Sequence, residues 1–147
     1  MSVKGDRAYE LFKQGYNCSQ AVFGAFAEEL GVDFSTAVRM ASGLGGGIGR
    51  MREVCGTFTG LTLAVGLIYG YDDPKATTEK TALYEDIRTL AERFRKENGS
   101  IICRELLGLS EKNSSPEPEK RTAEYYKKRP CAELVHCAAA IAEKYIK

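Results

Sequence analysis

The chain contains cysteines but no paired cysteine motif. Its five cysteines, Cys18, Cys55, Cys103, Cys131 and Cys137, form no CxxC, which removes the zinc-finger and thioredoxin spacings. CxxCH is missing as well, and with it covalently attached c-type haem. Five cysteines in 147 residues fall short of a disulfide scaffold, where the density exceeds ~8%. Charge of one sign is also lacking. The 21 Lys and Arg against 20 Asp and Glu leave a net +1, without the concentrated basic face that nucleic acid requires. The longest apolar run, Leu61 to Tyr69, is interrupted by Thr62 and Gly66 and is too short to span a bilayer. Met1 to Arg7 lacks the apolar stretch of a signal peptide. The expected location is the cytoplasm, where structural disulfides are uncommon, so any joint cysteine site must be assembled by the fold.

What is present reads as all-α. At 147 residues and 44% hydrophobic composition, one domain over residues 1–147 is expected, a helical bundle able to bury ~two-thirds of its unfolded surface. Tyr9 to Gln14 belongs to a short first helix that ends near Gly15. Asn17 and Gln20 form a capping box for a helix from Cys18 to Leu30, stopped by Gly31. Asp33 caps Phe34 to Ala41. Val54 to Tyr69 is apolar on nearly all sides, which predicts a central buried helix. On it Gly56, Gly60 and Ala64 make a small-residue stripe that lets another helix approach. Lys75 to Asn98 is amphipathic and ends at Gly99. Ser100 caps a short helix carrying Cys103, Leu109 to Glu119 is an exposed loop, and Thr122 to Arg129 makes a polar turn or two. Pro130 then opens a last helix, Cys131 to Ile146.

Two features carry chemistry. Gly43 to Gly49 holds five glycines in seven residues, costly unless the chain bends sharply or passes close to something. It fits neither GxGxxG nor the phosphate-binding GxxxxGK[ST] and follows a helix, which argues against nucleotide binding. Its free amides, at Gly45, Gly46, Gly47 and beyond it Gly56, could hydrogen-bond sulfur. Cys18, Cys103 and Cys131 fall at helix starts, and Cys55 opens the central helix. Helix N-termini stabilise anions and lower thiol pKa, and Arg50, Arg52, Lys127, Lys128 and Arg129 add positive charge nearby. Cys137, six residues after Cys131, faces another way and reads as core. His136, next to it, reads as locally bonded and lies outside the site. The plainer alternative is that every cysteine is a small buried hydrophobe.

At Cys55-Gly56-Thr57-Phe58-Thr59-Gly60 the chain resembles the C_GCAxxG_C_C family, named for redox activity inferred from four cysteines and a central Cys-Gly-Ala-x-x-Gly motif. Cys18 in Asn17-Cys18-Ser19-Gln20 matches the first cysteine, Cys55 the second, Cys103 in Cys103-Arg104-Glu105-Leu106 the third and Cys131 in Cys131-Ala132-Glu133-Leu134 the fourth. Thr57 replaces the motif's alanine, a departure expected to affect packing more than chemistry, and Cys137 has no counterpart. The resemblance implies an oxidoreductase-type redox protein whose Cys18, Cys55, Cys103 and Cys131 act as redox thiols or as metal ligands. Similarity to a region of split-Soret cytochromes implies a [2Fe–2S] cluster. Structural zinc, a metal-free thiol–disulfide site working with a redox partner protein, and a helical interaction protein with a homodimer interface are the alternatives. If one site exists, four sulfurs should lie together beside the glycine loop, with Cys137 apart.

Overall fold

The computed structural model describes residues 2–108 and 115–146; of Lys128 it describes the backbone alone. Those residues form an all-α fold with eight helices: α1 Val3–Lys13, α2 Cys18–Ala27, α3 Phe34–Ala41, α4 Gly56–Tyr69, α5 Thr77–Asn98, α6 Cys103–Leu106, α7 Ala123–Lys128 and α8 Cys131–Tyr145. A single 3-10 turn, Ser42–Leu44, leads from α3 into the glycine loop. Among the described residues, no helix is long and apolar enough to cross a membrane.

The core lies where α1, α2, α4 and α8 meet. Leu11 and Phe12 of α1, Val22 and Phe23 of α2, Leu61 and Val65 of α4 and Val135 of α8 are sealed from solvent. Fully burying each side chain of this size contributes ~1.5–3 kcal/mol. Close approach of α2 and α4 depends on the small-residue stripe. A Cβ at Gly60 would stand 2.7 Å from the Ser19 carbonyl oxygen, and one at Gly56 3.1 Å from the Ser19 amide nitrogen. The central helix buries Gly56, Phe58, Gly60, Leu61, Ala64 and Val65, while Leu67 and Tyr69 emerge at its far end.

Helix starts follow local chemistry. The α2 capping box is complete: Asn17 Oδ1 accepts from the Gln20 amide at 2.9 Å, and Gln20 Oε1 accepts from the Asn17 amide at 3.0 Å. Such a cap is worth ~1 kcal/mol. Asp33 caps α3 and Thr122 caps α7 through their side chains. Gly99 closes α5 in the left-handed region, at φ 93°. Several boundaries differ from expectation. The central helix starts at Gly56 instead of Val54, with Val54 in a bridge to Ile102. α5 starts at Thr77 instead of Lys75, and α8 ends at Tyr145 instead of Ile146. The first helix begins at Val3, because Ser2 accepts from the Gly5 amide and caps it there. The second ends at Ala27, where the amides of Leu30 and Val32 turn back onto its last carbonyl. In α6 the N-cap is Ile102; Ser100 braces the turn instead, accepting from the Ile102 amide and donating to Glu105 Oε1. Of the expected exposed loop, residues 115–119 are exposed, and 109–114 lie outside the described residues.

Candidate redox site

Four distant segments meet at one cavity of about 380 Å³. Cys18, Cys103 and Cys131 are the first residues of α2, α6 and α8, and Cys55 is the N-cap of α4. All four line the cavity, together with Gly43, Gly45, Gly46, Gly47, Gly49 and Gly56. Cys137 lies apart, at the seam of α5 and α8, where its Sγ donates to Glu97 Oε2 at 2.9 Å and accepts from Asn98 at 3.5 Å. It is half-buried in a polar seam. His136 is also elsewhere, 3.0 Å from Asp6.

The four thiols divide into two pairs. Cys18 and Cys131, both partly accessible, lie close enough at the starts of α2 and α8 for each to shift the other's ionisation. Cys55 and Cys103 are buried and belong to a short antiparallel ribbon formed by the Val54–Ile102 bridge. The Cys55 amide donates to the Ile101 carbonyl at 2.7 Å and the Cys103 amide to the Glu53 carbonyl at 2.6 Å. Each cysteine follows its bridge residue, so strand alternation puts the two on one face as diagonal neighbours.

Burial changes the expected thiolate pattern. Cys131 is lowered from the ordinary thiol value, first by the Cys18 hydrogen bond and then by Arg129, Arg121 and Arg52. Its partner Cys18 is raised, by the bond to Cys131 and by burial. Burial pushes Cys55 up to about 11, against the opposing hydrogen bonds from Thr57. Cys103 is also raised by burial, opposed by Arg52. A helix start therefore does not make a thiolate of every cysteine here; three cations facing Cys131 single it out.

Several neighbours differ from the sequence expectation. Arg52, three residues before Cys55, donates through Nη1 to Cys103 Sγ at 3.7 Å. Arg121 and Tyr125 also line the cavity, and only the fold brings them there. Thr57 is chemically engaged, its Oγ1 3.0 Å from Cys55 Sγ, so its replacement of alanine reaches the sulfur. In the glycine loop, the amides of Ile48 to Glu53 donate to carbonyls of residues 43–48. The loop closes on itself through those six amides; the amides of Gly45, Gly46, Gly47 and Gly56, expected to face sulfur, are not among them. Gly47 shows why it carries glycine: a Cβ would fall 2.7 Å from Cys103 Cβ, at a φ of 72°.

A family model described as Putative redox-active protein (C_GCAxxG_C_C) matches residues 16–145. The chain belongs to this family. No curated protein and no solved structure matches it. In this C_GCAxxG_C_C protein the donor set must be tested against the metal groups it resembles. A single tetrahedral ion draws four ligands to one point, yet among the described residues no three His, Cys, Asp or Glu side chains are grouped so as to hold a metal ion. A two-iron cluster asks for two thiolates on each iron, which suits two cysteine pairs.

Proposed function

We propose that the protein is a thiol–disulfide redox protein in which Cys131 is the attacking thiol and Cys18 the resolving one. The observation that carries this reading is the placement of both cysteines, as first residues of α2 and α8, on one cavity wall, with Arg52, Arg121 and Arg129 lining the same cavity and lowering Cys131. Thiolate is the attacking species. Cys131 attacks one sulfur of an external disulfide, whose S–S bond breaks and releases a thiolate. That thiolate takes up the Cys18 proton, and Cys18 then attacks the Cys131 sulfur of the mixed disulfide. The second sulfur leaves as a thiolate and takes up a proton from solvent, to which Cys131 gave up its own, so the protein dithiol is oxidised by two electrons and the external disulfide is reduced to two thiols. Electron delivery to a partner runs these steps in reverse.

The test is mass spectrometry after exposure to redox buffers of defined potential, with unreacted thiols alkylated. A Cys18–Cys131 disulfide is expected, with Cys55, Cys103 and Cys137 remaining reduced. In Cys18→Ser, the mixed disulfide on Cys131 should accumulate. Equal alkylation of all five cysteines under oxidising and reducing conditions would overturn the reading.

A second reading is favoured by the pairing of the thiols: Cys18 with Cys131 and Cys55 with Cys103 could hold a [2Fe–2S] cluster, which would supply one-electron transfer. Protein purified anaerobically is then expected to be coloured and to contain two irons and two sulfides. Colourless protein without iron would rule out this second reading.

A further inference from the structure

The cavity wall is cationic. Among the described residues, Arg52, Arg121 and Arg129 line it with one carboxylate, Glu119. Glu119 is already paired with Arg129. Arg121 donates to the carbonyl oxygens of Phe12 and Tyr16 at 2.9 and 3.0 Å and lies over the Phe12 ring at 4.2 Å, neutral partners that bring no negative charge to it. Arg52 is the most telling. It is 6% exposed, its Nη1 donates to the Cys103 sulfur, and among the described residues its buried Nε has no hydrogen-bond partner. A guanidinium taken out of water normally finds an anion. The remaining lining is largely apolar, including Phe12, Leu106 and Leu134, and the volume lies in the range of small-molecule sites.

We infer that this cavity binds a small anionic disulfide, carboxylate-bearing with an aliphatic body, whose negative ends are held by the arginine wall while its sulfurs face Cys131. This rests on the thiol–disulfide reading for the chemistry; the anion site stands on the arginines alone. The substrate disulfide is the oxidant, reduced to two carboxylate-bearing thiols as the Cys18–Cys131 disulfide forms.

Two experiments keep the two claims separate. Oxidation of the reduced protein is timed with three disulfides of similar size: dianionic 3,3′-dithiodipropionate, neutral bis(2-hydroxyethyl) disulfide and dicationic cystamine. Each rate is divided by that of free 2-mercaptoethanol with the same disulfide. The dianion is expected to exceed both others by at least tenfold, with the advantage shrinking between 20 and 500 mM NaCl. In Arg52→Gln the anion-to-neutral ratio should fall severalfold, whatever happens to the absolute rates. Separately, calorimetry with 3,3′-thiodipropionate, which has no bond to exchange, should show binding to the reduced wild-type protein. Exchange with no preference for the dianion, or no thiodipropionate binding, overturns the anion site. Thiodipropionate binding with no oxidation by any of the three disulfides upholds the anion site and overturns the thiol–disulfide reading. Because salt dependence and calorimetry use the wild type, the inference stays testable even if Arg52→Gln fails to fold.

Discussion

Thr57 and Arg52 each hold a cysteine sulfur, and they do so by different physics. Thr57 is fully buried and offers a neutral hydroxyl to Cys55, which opposes the upward pull of burial on that thiol. Removing the hydroxyl leaves burial unopposed by that bond. In Thr57→Ala the Cys55 thiol is therefore expected to titrate higher still, with stability lowered by ~1 kcal/mol for the lost buried hydrogen bond. Titration of the Cys55 Cβ resonance in protein with labelled cysteine reads this directly; an unmoved midpoint would show the contact to be idle. Arg52 instead brings full charge, and its unpartnered Nε costs ~1–3 kcal/mol in the free protein. At Cys131 the same arginine acts together with Arg129 and Arg121. The pH profile of alkylation should accordingly have its lowest midpoint at Cys131, below those of Cys103 and Cys55, as resolved by peptide mapping.

At the scale of elements, the glycine loop is where backbone geometry is most unusual. Gly46, Gly47, Ile48, Gly49 and Arg50 run consecutively at φ between 56° and 72°, and Arg52 follows at 62°. Each non-glycine residue there costs ~1–2 kcal/mol, and for β-branched Ile48 the conformation is a genuine outlier. The strain persists because the loop's own amide–carbonyl bonds over-determine it, a pattern found at functional sites. Ile48→Gly is expected to raise stability by about 1 kcal/mol in chemical denaturation. Gly47→Ala should lower it by ~2 kcal/mol or more, since its Cβ would lie 2.6 Å from the Glu53 amide nitrogen as well as against Cys103. Much of this architecture could be read from local pattern. The capping box at Asn17, the Asp33 cap and proline at the start of α8 are signals carried by adjacent residues, so the helix starts bearing Cys18 and Cys131 were legible. Positive φ at Ile48 and Arg50 was not, because nothing in those residue types announces it. Nor was the pairing of Val54 with Ile102, a contact between residues far apart in sequence that sets Cys55 beside Cys103. The turn of Arg52 toward Cys103 followed from that same hidden ribbon.

For the whole molecule, the site and the core are one construction, and this gives stability a pH dependence that can be traced to a single thiol. Cys55 sits where α4 begins, buried against the start of α2 through Gly56, so it cannot ionise without placing a charge inside the bundle. Its thiol rises from an ordinary 9.0 to about 11. Below pH 9 both folded and unfolded chains keep the proton and the contribution is complete. Between 9 and 11 the unfolded chain loses that proton while the folded chain holds it, so the unfolded state binds fewer protons and stability falls as pH rises. Two units correspond to ~2.7 kcal/mol. Other groups titrate in the same window, and the Cys55→Ala variant subtracts them. Denaturation of both proteins at pH 8 and at pH 10.5 is expected to show the wild type losing on the order of 2 kcal/mol more than the variant. Parallel losses would mean that Cys55 ionises freely, through an opening between the ribbon and α4 that admits water to the cavity. The direction matters for the redox chemistry too. In the proposed exchange, a buried Cys55 held as a thiol does not compete with Cys131 and Cys18, whereas a Cys55 that ionised easily would be a second nucleophile for the same disulfide.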